Sequence, residues 1–179
     1  MTISDILQLS STIAAFLGLL FLAYQVKHAR DEIKRGDLQR RHEAERLRCQ
    51  ATLEYARQTL DTRYQVWPEL PDDFNAEAVS RFVRKCIAGT SRANLEAAFG
   101  YLGLLETFCI GIDRGIYDID TADKLYGPRI CAVAKNYWNL IEWRRNKTGT
   151  STFYDGLEKV AIDFAVRRSI ILAPLGTIQ

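Results

Sequence analysis

The sequence predicts an all-α protein: one N-terminal transmembrane helix continuing into a charged helical connector, then a small bundle of about four to five helices. Three observations lead there. Ile6 to Val26 runs without a charged side chain. Beyond Phe74, apolar residues recur at i, i+3, i+4 and i+7, the spacing of one helix face. No segment sustains the period-two alternation of a strand. The expected boundaries are 1–26 for the anchor, 27–66 for the connector and 67–179 for a helical domain.

Ile6–Val26 rises about 1.5 Å per residue as a helix and covers about 30 Å, the thickness of a bilayer's hydrocarbon core. Its hydroxyls at Ser10, Ser11 and Thr12 can bond back to the helix's own carbonyls. A cleaved signal peptide would need a basic lead-in, and only Asp5 and the terminal amine precede the run. Lys27, Arg30, Lys34 and Arg35 follow it directly, which under the positive-inside rule puts the C-terminal side in the cytoplasm and the N-terminus outside. Ser10, Ala14 and Gly18 recur every four residues, a small-residue face on which two such helices can pack.

The connector carries eight Lys/Arg against five Asp/Glu between Lys27 and Gln50. Two readings fit: a solvated helix with i,i+4 pairs, and a basic collar held at anionic headgroups by Lys27, Arg30, Lys34, Arg35, Arg40 and Arg41. Further on, Cys49, Leu53, Ala56, Leu60 and Trp67 form a short apolar stripe. Docking on the domain and a parallel bundle with a second chain explain that stripe equally well.

Trp67-Pro68-Glu69-Leu70-Pro71-Asp72-Asp73 reads as a turn or linker. Val79, Phe82, Val83, Cys86 and Ile87 then mark a helix stopping at Gly89, and Ala93 to Ile112 a nearly all-apolar central helix. Glu96 and Glu106 argue against that helix as a second span, at about 2.5–3.5 kcal/mol for a carboxylate near mid-membrane. Asp118 or Asp120 caps a short helix ending near Tyr126, and Pro128 suits the first turn of another. Ile130, Val133, Ala134, Tyr137, Trp138 and Ile141 give its buried stripe. Asn146 to Ser151 is a polar turn, and Thr152 to Asp155 has the form of a capping box before a last helix faced by Phe153, Leu157, Val160, Ala161 and Phe164. The apolar tail from Ser169 is expected to pack on the bundle.

No catalytic constellation is recognisable in the sequence. Glu106, a carboxylate on an apolar helix, is a candidate for a general base, a ligand contact or a buried ion pair with Arg114, Arg144 or Arg145. Asp113, Asp118, Asp120 and Asp123 lack the ligand spacing of a calcium loop. Gly111-Ile-Asp-Arg-Gly115 is no phosphate loop. Cys49, Cys86, Cys109 and Cys131 form no C-x-x-C pair and read as reduced thiols. With only His28 and His42 besides, neither a metal nor a cofactor is expected. The net charge of +2 and the spacing of Tyr137, Trp138 and Trp143 favour no nucleic acid.

Tyr101-Leu-Gly-Leu-Leu-Glu-Thr-Phe-Cys-Ile-Gly-Ile-Asp-Arg-Gly-Ile-Tyr-Asp, with Tyr137-Trp138 and Ile141-Glu-Trp-Arg-Arg145 after it, resembles a bacterial family described as domain of unknown function 4760. Gly103 stands where that pattern has a larger polar residue. The resemblance implies the same order of span, charged connector and helical domain, in a bacterial inner membrane, and supplies no chemistry.

The functional expectation is a membrane-tethered interaction or scaffold protein, self-associating and not an enzyme, with membrane lipids and a protein at the inner membrane as partners. A ligand-gated effector sensing a small anionic nucleotide is the alternative. A membrane-bound hydrolase stands last, because no nucleophile–base pair is visible.

Overall fold

The computed structural model describes the backbone of residues 3–170 and 172, and side chains from Gly18 onward except at 20, 23, 60, 61 and 171. Six helices follow one another: α1 (Ile3–Val66), α2 (Ala76–Ile87), α3 (Arg92–Asp113), α4 (Ile119–Asn136), α5 (Trp138–Thr148) and α6 (Asp155–Arg167). No strand occurs among the described residues, so the protein is all-α. Two compact units divide the chain, Met1–Arg46 and Leu47–Gln179.

The first unit is the N-terminal part of α1. Its described side chains are almost all exposed, among them Leu19, Phe21, Leu22, Tyr24 and Val26. The small-residue packing face at Ser10 and Ala14, like the rest of the span up to Leu17, lies outside the described side chains.

In the second unit, the end of α1 docks on the bundle, one of the two arrangements the apolar stripe allowed. The register differs from that stripe. Thr52, Ala56, Thr59 and Arg63 are buried, while Leu53 is 54% exposed. Hydrogen bonds decide it. Thr52 donates to the Arg48 carbonyl and accepts from the Asp118 amide at 2.8 Å, Tyr55 donates to the Leu104 carbonyl at 3.0 Å, and Tyr126 reaches the Ala56 carbonyl at 2.6 Å. Tyr55 also stacks on Phe108, with ring centroids 4.9 Å apart and planes 4° from parallel. A polar face thus packs inward because each hydroxyl finds a partner.

Helix α3 is the centre of the core. Ala98, Leu102, Leu105, Phe108 and Cys109 are fully buried. Among the described residues it is the helix long and apolar enough to cross a membrane, yet α6 and α2 cover it. Each large apolar side chain so buried contributes about 1.5–3 kcal/mol. Its end is a Schellman turn: Gly115, at φ +68°, donates to the Ile112 carbonyl and Ile116 to that of Gly111. The same turn closes α2 at Gly89.

Asp118 caps α4, accepting from the Thr121 amide at 2.8 Å. This helix does not restart at Pro128 as expected but runs through it. Proline forfeits one amide bond there, while Tyr126, Ile130, Val133 and Ala134 hold both halves in the core. The predicted stripe from Ile130 to Ile141 is buried throughout, although the helix axis is interrupted at Tyr137. Gly149, left-handed at φ +68°, ends α5 inside the predicted polar turn. Of the apolar tail, Leu172 packs against the core; Ile171 and residues 173–179 lie outside the described residues.

Candidate functional site

The expected capping box at Thr152–Asp155 does not form: Tyr154 takes the N-cap position at φ +63° and its side chain makes no capping bond. The cap comes from elsewhere. Glu106 of α3 accepts from the amides of Gly156 at 3.0 Å and Leu157 at 2.6 Å, one through each carboxylate oxygen. The carboxylate therefore sits at the positive end of the α6 dipole and satisfies two donors that the helix leaves open. Gly156 makes the approach feasible, since a Cβ there would lie 3.1 Å from a Glu106 oxygen.

Glu106 is consequently not ion-paired with the arginines predicted for it. Arg144 sits over the rings of Phe99 and Phe153, its guanidinium carbon 4.0 and 4.5 Å from their centres, and donates to the Tyr154 hydroxyl. That stacking suits a planar cation. Arg145 bonds the Phe153 carbonyl, Asp155 at 3.0 Å and Glu158 at 2.9 Å. Arg114 is the exposed C-cap residue of α3. The structure thus gathers Glu106, Arg144 and Arg145 around the α5–α6 corner, each already engaged, and leaves Arg114 apart. A hollow of about 390 Å³ beside them is lined by Glu142, Arg145, Asn146, Gly149 and Ser151.

The basic residues expected at headgroups, Lys27, Arg30, Lys34 and Arg35, are all exposed. Of the packing face, Ser10 and Ala14 lie outside the described side chains, and Gly18 has open space where a Cβ would be.

The most unusual polar arrangement was not among the predicted residues. Asp73, 1% exposed, accepts from the Tyr101 hydroxyl at 2.7 Å through Oδ2. The Nε atoms of Arg63 and Arg129 lie 3.7 and 3.5 Å from that same oxygen. Arg63 also donates to the Pro71 carbonyl at 2.7 Å, and Asn136 to the Asp73 carbonyl at 2.8 Å. One carboxylate thereby ties the linker to α1, α3 and α4. Burial pushes the Asp73 carboxyl above the usual range, outweighing Tyr101 and the two guanidiniums, which pull it down. Tyr101 and Tyr137 are raised by the same burial. Among the described residues, Asp73 Oδ1, Arg63 Nε and the Tyr137 hydroxyl have no hydrogen-bond partner. Arg129, at the edge, forms one wall of a cleft of about 260 Å³ with Phe74, Leu125, Tyr126 and Pro128.

In sequence, Asp73 is indistinguishable from a turn residue. The signal that was there is Arg63, which falls seven residues after Ala56 on the face that packs inward.

Burial raises the thiols of Cys86, Cys109 and Cys131, which disfavours thiolate. Among the described residues no three metal-ligating side chains come together. Residues 12–164 match the family described as Domain of unknown function (DUF4760). No curated protein and no solved structure matches the chain. With most of its length matched, the chain belongs to the DUF4760 family.

Proposed function

We propose that this protein is a single-pass membrane-tethered interaction module, with its N-terminus outside and its helical domain on the cytoplasmic side of a bacterial inner membrane. The observation that carries the reading is one junction on α1: exposed Leu19, Phe21, Leu22, Tyr24 and Val26 give way at once to exposed Lys27, Arg30, Lys34 and Arg35. Apolar side chains on every side of a helix suit lipid, and the basic turns that follow suit anionic headgroups. Buried, unpaired cysteines agree with a reducing compartment for the domain. Self-association through Ser10, Ala14 and Gly18 belongs to the same reading, as does a protein partner for the domain.

Alkaline extraction tests the anchor. The full chain should stay with the membrane pellet, and Phe16→Asp with Leu19→Asp should release it, because each central carboxylate costs about 2.5–3.5 kcal/mol of insertion. A wild-type chain found in the supernatant, or a double variant still in the pellet, contradicts it.

A further inference from the structure

We propose that the cleft between Phe74, Leu125, Tyr126, Pro128 and Arg129 binds a small organic monoanion, specifically a carboxylic acid with an aromatic or short branched body. The inference does not depend on the membrane anchor.

Charge is the first argument. Two guanidiniums, Arg63 and Arg129, converge on the single buried carboxylate of Asp73, so among the described residues this cluster holds one more cation than anion, with the Asp72 carboxylate outside it in the exposed linker. Excess charge in a buried cluster is costly unless something compensates it. The side chains of Arg63 and Asp73 are 6% and 1% exposed, so the excess meets solvent through Arg129, which is 18% exposed and forms a cleft wall. Arg63 is committed to backbone carbonyls of the linker. Arg129 offers Nε to Asp73 and donates to the Tyr64 hydroxyl, and a guanidinium has five N–H donors to distribute.

The walls make the second argument. Phe74 and Leu125 are 55% and 47% exposed, large apolar side chains that line the same cleft as the Arg129 cation. An apolar recess with one convergent charged group is the usual form of a small-molecule site. Its volume, about 260 Å³, falls below the range for drug-sized ligands and suits a molecule of one ring or a short branched chain.

Carboxylate is favoured over phosphate by the same arithmetic. A monoanion neutralises the single excess charge, whereas a phosphate dianion would overshoot it with the Asp73 carboxylate directly behind Arg129.

The test is calorimetric titration of the full chain in detergent micelles with benzoate, benzamide and inorganic phosphate. Benzoate should bind saturably at millimolar or lower concentration, and the other two should bind at least tenfold more weakly. Arg129→Gln should weaken benzoate at least tenfold. Leu125→Trp, which fills the cleft from an exposed position without touching Asp73, should abolish it while the thermal unfolding of the variant stays intact. Absence of saturable benzoate binding overturns the proposal. So does benzamide binding as tightly, phosphate binding more tightly, or a folded Leu125→Trp chain that binds benzoate unchanged.

Discussion

Glu106 holds the amide of Leu157 at 2.6 Å across a sequence separation of 51 residues, so the start of α6 is capped by a side chain from the middle of α3. The bond joins the central helix to the last one and explains a carboxylate on an otherwise apolar surface. A carboxylate facing two backbone donors needs no cation, and the neighbouring arginines are free to serve the α5–α6 corner instead.

Replacing that cap should therefore cost stability without touching any ion pair. Glu106→Ala is expected to lose about 1–3 kcal/mol, since two helix N–H groups lose their acceptor. Glu106→Gln should lose less, keeping one acceptor oxygen. Urea unfolding gives the energies, and faster hydrogen exchange at Gly156 and Leu157 locates the loss.

Gly156→Ala should also destabilise the protein, against the helix-propensity gain of about 1 kcal/mol that alanine ordinarily brings. A Cβ at this position would lie 2.9 Å from Ile110 Cγ1 and 3.1 Å from Glu106 Oε1. The outcome that contradicts the cap is a variant more stable than wild type in the same titration.

The register of α1 predicts a reversal of the usual hydrophobic ranking. Thr52→Val, at a fully buried position, removes the acceptor of the Asp118 amide and should cost about 1–3 kcal/mol. Leu53→Ala, a larger apolar truncation on the exposed side, should stay within about 0.5 kcal/mol of wild type. Thermal unfolding of the two variants side by side checks this.

Two carboxylates should respond to pH in opposite senses. The Asp73 carboxyl is raised in the folded state by burial, so its contribution is fully present in acid and declines as pH rises from the ordinary 3.8 through the raised value. The Asp118 carboxyl is lowered by the Thr121 hydroxyl, so its contribution is present above 3.8 and lost as pH falls through the lowered value. The stability difference between wild type and Asp73→Asn should shrink with rising pH, and that for Asp118→Asn should shrink with falling pH. Urea titrations across pH 3 to 7 measure both.

The apolar faces of the bundle were legible in the sequence because period alone defines them. Val79, Phe82, Val83 and Cys86 are buried as their spacing requires, as are Ile130, Val133 and Ala134. What escaped was any feature whose partner lies far along the chain. Glu106 stood out by chemistry, but no local pattern reveals that a helix start would face it. Asp73 sat in a proline-rich turn where an acidic residue is ordinary, and only the fold brings Arg63, Tyr101 and Arg129 to it. Leu53 looked inward by hydropathy, and Thr52 took its place because its hydroxyl is satisfied on both sides. At Pro128 a local rule favoured a new helix, and core contacts before and after it kept α4 continuous.

The membrane reading rests on which side of the bilayer each end of α1 occupies. An Ile3→Cys chain in intact cells, treated with a membrane-impermeant maleimide, measures this directly. Labelling of Ile3→Cys above the wild-type background before lysis is the predicted result. Labelling that appears only after the membrane is opened would contradict the proposed topology.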